Sequence, residues 1–234
     1  MLDTIKKYIS EYSTISHESK TVILFAYPYI PYKNLTIDAY YVASQECYNL
    51  TKTIIAELGK AGIASEAGRN LPLQELAIKS GLAYKKGKNG LAYHKKYGSR
   101  FCIGAIVLQS DEKIEDTVLG VPLCNPDCIL CIKACPNGAI TQTKVNYSKC
   151  LRHLANDPKS MTSAQIKMLG GRVLGCDICQ RACPQNKTEY IDMPPDLSDI
   201  CHDLTSPANI KKLSNLIGKN MTRIPRELTR TVKL

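Results

Sequence analysis

The chain has 234 residues, 11 cysteines, no tryptophan and a formal net charge of +10. That length can bury one or two cores, but no run approaches the ~18 apolar residues of a membrane span, and the opening MLDTIKKYISEYS lacks the apolar stretch of a secretory signal. So many cysteines suit a reducing compartment, so a cytoplasmic protein with no membrane segment is expected, and the positive charge favours an anionic partner such as a phosphate-bearing cofactor, a nucleic acid or an acidic redox protein.

Residues 1–20 read as an amphipathic helix followed by a polar turn. Residues 21–29 (TVILFAYPY) are apolar and β-rich and predict a buried strand, which Pro28 and Pro31 end. Residues 38–58 predict a long helix capped by Asp38, with Tyr41, Cys47, Tyr48, Ile54, Ile55 and Leu58 on its apolar stripe and Gly59 and Gly62 stopping it. A loop over 65–71 leads to Pro72, a suitable first residue for a helix that ends at Gly81. The loop over 81–100 is rich in Gly and Lys. Its glycine spacing matches neither the phosphate-loop nor the dinucleotide fingerprint. Residues 101–108 (FCIGAIVL) predict a second strand. No hairpin signal is present, so the strands are expected to be joined through helices. Cys47 and Cys102 lie in apolar segments and read as core residues. Cys201 lies in a polar, basic tail with no evident role, and that tail carries one helix at 208–217.

The remaining eight cysteines form two blocks. The first is Cys124-Asn-Pro-Asp-Cys128-Ile-Leu-Cys131-Ile-Lys-Ala-Cys135-Pro136; the second is Cys150 followed by Cys176-Asp-Ile-Cys179-Gln-Arg-Ala-Cys183-Pro184. A run that closes on three residues, a cysteine and a proline marks two-cluster ferredoxins, whose last cysteine in each run ligates the other cluster. Three cysteines on a tight loop reach one cubane, and the start of a helix is expected to carry the fourth towards the second. Cluster one then takes Cys124, Cys128, Cys131 and Cys183, and cluster two takes Cys176, Cys179, Cys150 and Cys135. The competing readings fit less well. Disulfide frameworks suit small secreted domains, and zinc needs only four ligands. With both clusters loaded the net charge falls to about +6.

The segments GLAYKKGKNGL (81–91), YGSRFCIGAIVL (97–108), CIKACPNGAI (131–140) and GCDICQRACPQN (175–186) together resemble the epoxyqueuosine reductase family. The resemblance implies an α+β fold: a nitroreductase-like N-terminal α/β unit over 1–120, a ferredoxin-like module with two 4Fe-4S clusters over 121–190, and a basic tail over 191–234. It implies a corrinoid (cobalamin) in the first unit, with Lys88, Asn89, Gly90, Tyr97, Gly98 and Ser99 in or beside its site, and a redox partner protein as electron source. It also marks a departure. The family carries an aspartate proton donor three residues before the helix-opening proline, and Arg69 stands there in this chain. Arginine stays protonated and makes a poor acid. Glu66 is a substitute after a small register change, and Tyr93 or Tyr97 is another. With the shorter chain, this argues against tRNA as the specific substrate. An iron–sulfur oxidoreductase acting on a different substrate is therefore expected, and the alternative is an electron-transfer or corrinoid-reducing protein. A flavin in place of the corrinoid has no sequence feature in its favour.

Overall fold

The structure is a computed structural model that describes residues 2–109, 123–156 and 161–218. By contacts the chain forms two compact units. The first takes residues 1–29, 46–87 and 91–125, and the second takes 30–45, 88–90 and 126–234. The sequential division at 120 and 190 thus differs from the division by contacts, because 30–45 and 88–90 go with the cysteines. The predicted boundary at 120 and the end of the basic tail lie outside the described residues.

The first unit is built on a four-stranded sheet of β1 (Tyr12–His17), β2 (Lys20–Pro28), β3 (Ser65–Ala67) and β4 (Phe101–Leu108). The strand order is β1-β2-β4-β3, and each neighbouring pair is antiparallel. Strand alternation sorts the side chains onto two faces. Val22, Leu24, Ala26, Phe101, Ala105 and Val107 share one face with Leu76 and Ala77 of helix α3 (Leu73–Lys79). Phe25 points to the other face, where its ring fills the place of a side chain at Gly104; a Cβ there would lie 2.1 Å from it. Tyr27 shares that face and donates to Glu46 of helix α2 (Tyr40–Lys60) at 3.1 Å. Ile54 and Leu58 of α2 are fully buried, each burial contributing about 1.5–3 kcal/mol.

Three expectations are corrected here. Residues 1–20 hold only a five-residue helix, α1 (Leu2–Lys6), and then β1. β1 and β2 form a hairpin closed by Glu18 and Ser19, both with positive φ (49° and 59°). That is the backbone of a two-residue primed turn, made without the Asn or Gly that would have announced it. β3, in turn, falls in the segment expected to be a loop.

In the second unit, residues 30–45 pair with the cysteine region. Tyr32 bridges Ile191, Ile37 bridges Leu174, and Val173 N donates to Thr36 O at 2.8 Å. Asp38 accepts from Tyr40 N at 3.0 Å, which is the cap expected for α2. Around the cysteines run the short helices α4 (Leu130–Ala134), α5 (Leu151–Leu154), α6 (Ser163–Met168) and α7 (Ile178–Arg181), with α4 packed on α7. The predicted tail is folded as far as Gly218. Helices α8 (Pro195–His202) and α9 (Pro207–Ile217) pack together through buried Leu197, Cys201, Leu204, Leu213 and Ile217. Cys201 is therefore a core residue, and burial pushes its thiol up to about 12.

Candidate metal centre

None of the eleven cysteines is joined in a disulfide. Cys131 lies within α4, and Cys135 leaves the end of that helix in extended backbone (φ −69°, ψ 109°). The fourth cysteine of the run is thus redirected by a helix that ends, not by one that starts. Cys179 lies within α7, and Cys150 is the extended residue before α5 (φ −72°, ψ 116°).

Burial pushes the Cys179 thiol far above its ordinary range, and its charged neighbours add to this: Cys176, Cys150, Cys131 and Cys135. Burial likewise raises Cys176 to about 11. Cysteines of both runs are thus electrostatically coupled to Cys179, Cys131 of the other expected set among them. Such thiols stay protonated at neutral pH unless a metal takes the place of the protons. Among the described residues no three donors converge as closely as a single metal ion requires. A cubane spreads its four thiolates over four irons, and the donor set fits that chemistry. The N–H of Ala139 donates to Cys135 Sγ at 3.3 Å, a contact of the kind that tunes cluster potential. Cys128 and Cys183 are half-buried in the same unit, while Cys124 belongs to the first unit.

Charged side chains hold the second block in shape. Asp177 sits between Arg172 (3.4 Å) and Arg181 (2.5 Å), and Arg181 also donates to Tyr32 O at 2.7 Å. Asn186 donates to Gln180 O at 2.7 Å and so closes the turn after Cys183. Gly175, with φ +91°, packs so tightly that a Cβ would lie 2.7 Å from Asp38 Cβ and 2.9 Å from Tyr41. Burial raises the pKa of Asp38, and Arg152, at 3.7 Å, opposes the shift. The Arg152 guanidinium lies 4.2 Å over the Tyr40 ring.

The residues expected at the corrinoid site divide between the two units. Lys88 Nζ donates to Pro126 O at 2.6 Å and to Cys128 O at 2.9 Å, which ties the first cysteine loop. Asn89 is buried. At Gly90 (φ +76°), Val145 and Tyr147 already occupy the space a side chain would take. In the first unit, His94 and Gly98 exchange backbone hydrogen bonds at 2.7 and 2.9 Å. Tyr97 stacks on His94 with centroids 4.6 Å apart, Gly98 has φ +59°, and Ser99 is buried. His94 is itself buried, 3.6 Å from Glu11.

Arg69 lies 4.4 Å over the Tyr48 ring. Glu66, the carboxylate named as a substitute acid, is on β3 and pairs with Lys20 at 3.3 Å. Tyr93 is 2 % exposed. Sequence reasoning missed the tie from Lys88 to the cysteine loop, since nothing local signals a contact 40 residues away. The clamp on Asp177 was half-visible, because Arg181 follows it at the i,i+4 spacing of a helical ion pair.

The profile of the 4Fe-4S double cluster binding domain matches residues 124–186. An epoxyqueuosine reductase of Leadbetterella byssophila is 34% identical over 160 residues, covering 64% of this chain and 49% of its own length. The chain thus spans about half the length of that relative. Among solved structures, an epoxyqueuosine reductase from Bacillus subtilis, with its catalytic aspartate loop swung out of the active site, matches with a TM-score of 0.64 at 20% identity, covering 91% of this chain and 62% of its own. An epoxyqueuosine reductase bound to an epoxyqueuosine-modified tRNA stem loop matches at 0.63 and 19% identity, with coverages of 91% and 62%. At such identities these two structures speak for the mixed helix-and-sheet fold.

Proposed function

We propose, from this chain's place in an epoxyqueuosine reductase-like family, that it is an iron–sulfur oxidoreductase relaying electrons through two 4Fe-4S clusters to a corrinoid held by the N-terminal unit. The observation that carries the reading is the match of the 4Fe-4S double cluster binding domain to residues 124–186, the stretch that holds all eight cysteines of the two blocks. Cys176, Cys179, Cys150 and Cys135 hold one cluster. Cys128, Cys131 and Cys183 hold the other, with Cys124 as the fourth ligand that the motif assigns. When bound, the clusters supply one-electron transfer at low potential and the corrinoid supplies the reductive bond chemistry. The chain's own contribution is positioning. Lys88 holds the first cysteine loop through two carbonyls, Arg172 and Arg181 clamp the second through Asp177, and Ala139 N–H offsets charge on the Cys135 sulfur.

The substrate is proposed to differ from that of the relatives. Arg69, stacked on Tyr48, stands where the resemblance expects an acid. The relative solved with a tRNA stem loop argues the other way, for a tRNA substrate. A second reading, an electron-transfer protein without substrate chemistry, is favoured by the engagement of Lys88 and Gly90 with the cysteine unit. Anaerobic reconstitution tests these readings. About eight irons and eight sulfides per chain are expected, with cobalamin bands bleaching at a saturable rate when the reduced protein is added. A stable four-iron protein or tightly bound zinc overturns the cluster reading. Clusters that neither bind nor reduce cobalamin at micromolar levels leave the carrier. Conversion of an epoxyqueuosine-modified stem loop overturns the substrate reading.

A further inference from the structure

Between Asp127 and Asp157 the chain has no acidic residue, yet it carries Lys133, Lys144, Lys149 and Arg152. This stretch includes Cys135 and Cys150, two of the four cysteines around the second candidate cluster. Local hydrogen bonds tie together the turns next to both. Ile140 and Val145 bridge, and Thr141 N donates to Lys144 O at 2.9 Å, so Lys144 closes the turn of a small hairpin. Asn137 Nδ2 donates to Lys149 O at 2.8 Å and joins the turn after Cys135 to the residue before Cys150. Lys133, Lys144 and Lys149 are exposed, and among the described residues no carboxylate pairs with them. Beside Lys149 is Tyr147, 55% exposed although aromatic. Arg152 is turned towards Tyr40 and does not contribute.

We propose that the surface of Lys133, Lys144, Tyr147 and Lys149 docks an acidic, low-potential one-electron donor protein of the flavodoxin or ferredoxin class. The proposal rests on the cluster reading above. An exposed aromatic residue among cations, without acidic neighbours in sequence, has the make-up of an interface anchor with a charged rim. Positive rim charge steers an acidic partner and sets its on-rate. A nucleic acid would be drawn by the same charge, but it would gain nothing from cations carried on the same segment as Cys135 and Cys150. A donor gains a short path. One electron leaves the donor's reduced cofactor for the cluster that Cys135 and Cys150 would serve, the donor is oxidised and the cluster reduced by one electron, and no proton need move.

The test uses anaerobically loaded full-length chain and a photoreduced acidic flavodoxin in a stopped-flow instrument. Cluster reduction by the flavodoxin is expected to slow roughly tenfold between about 20 and about 500 mM salt. The triple variant Lys133→Glu, Lys144→Glu, Lys149→Glu is expected to be roughly tenfold slower at low salt, with iron content and reduction by dithionite unchanged. Should the triple variant load less iron, Lys144→Glu alone is measured and is expected to slow the flavodoxin reaction about twofold. A variant reduced by flavodoxin as fast as the wild type overturns the proposal. So does a variant that loses binding to a tRNA stem loop while keeping the flavodoxin rate. A wild type without clusters defeats the reading beneath it. A wild type with clusters whose reduction ignores salt defeats this proposal alone.

Discussion

Replacing Lys88 by Met keeps the aliphatic stem and removes the ammonium. Two hydrogen bonds go with it, at 2.6 Å to Pro126 O and 2.9 Å to Cys128 O. A hydrogen bond to a charged group contributes about 1.5–3 kcal/mol. The bond to Pro126 is exposed, so water replaces most of it, whereas the bond to Cys128 is partly buried. A loss of about 2–3 kcal/mol from the order of the first cysteine loop follows, which is roughly 30- to 150-fold in its equilibrium. The assay is iron release from reconstituted protein under a chelator. About half the iron should leave roughly 30-fold faster in Lys88→Met, while the rest leaves as in the wild type. Lys88→Arg should restore most of the lag, because a guanidinium also carries donors for two carbonyls. Unchanged release refutes the reasoning, and a change confined to cobalamin saturation would return Lys88 to the role that the sequence resemblance implies.

Gly175→Ala adds a Cβ against Asp38 and Tyr41 at φ +91°; strain and overpacking together should lower stability by about 2–5 kcal/mol, read as an earlier urea midpoint with loss of iron from the second set. Burial lowers the pKa of His94, although Glu11 opposes it. The unfolded chain therefore takes up more protons as pH falls through about 6.5, and the stability that neutral His94 contributes is lost below that pH; thermal midpoints from about pH 7.5 to 5.5 should fall in the wild type and fall less in His94→Gln. Cys47 and Cys201, both raised to about 12 by burial, should resist alkylation at pH about 8 in the folded protein and react once it is unfolded; rapid labelling of either in the folded state would contradict their burial.

What the sequence disclosed depended on the range over which each signal acts. β2, β4, α2 and α3 were legible because their apolar residues repeat at strand or helix spacing within a few residues. β1 was not, because its hairpin turns on Glu18 and Ser19, residues that rarely take positive φ. β3 is a three-residue strand, Ser-Glu-Ala, with no β-branched side chain to mark it. In the tail the helix at 208–217 was legible, but α8 was not, because only Leu197 and Cys201 of its eight residues are buried. At the candidate centre, the fixed spacing of the cysteines marked the stretch that the double cluster domain matches. The groups that hold those loops, Lys88 and the pairing of 30–45 with 173–191, act across long separations and leave no local pattern.

The interleaved connectivity bears on how the protein matures in a cell. Arg181 of the second block reaches back 149 positions to Tyr32 O. At ~5–20 residues per second of synthesis, the segment around Tyr32 waits roughly 7–30 s for that partner to emerge. Over that interval the contact that ties Tyr32 to the second block cannot form. Any metal loading that needs this contact must wait until residue 181 has been made. For the same reason a cut after residue 120 would not release a self-sufficient carrier, since the strip over 30–45 would stay behind with the other fragment.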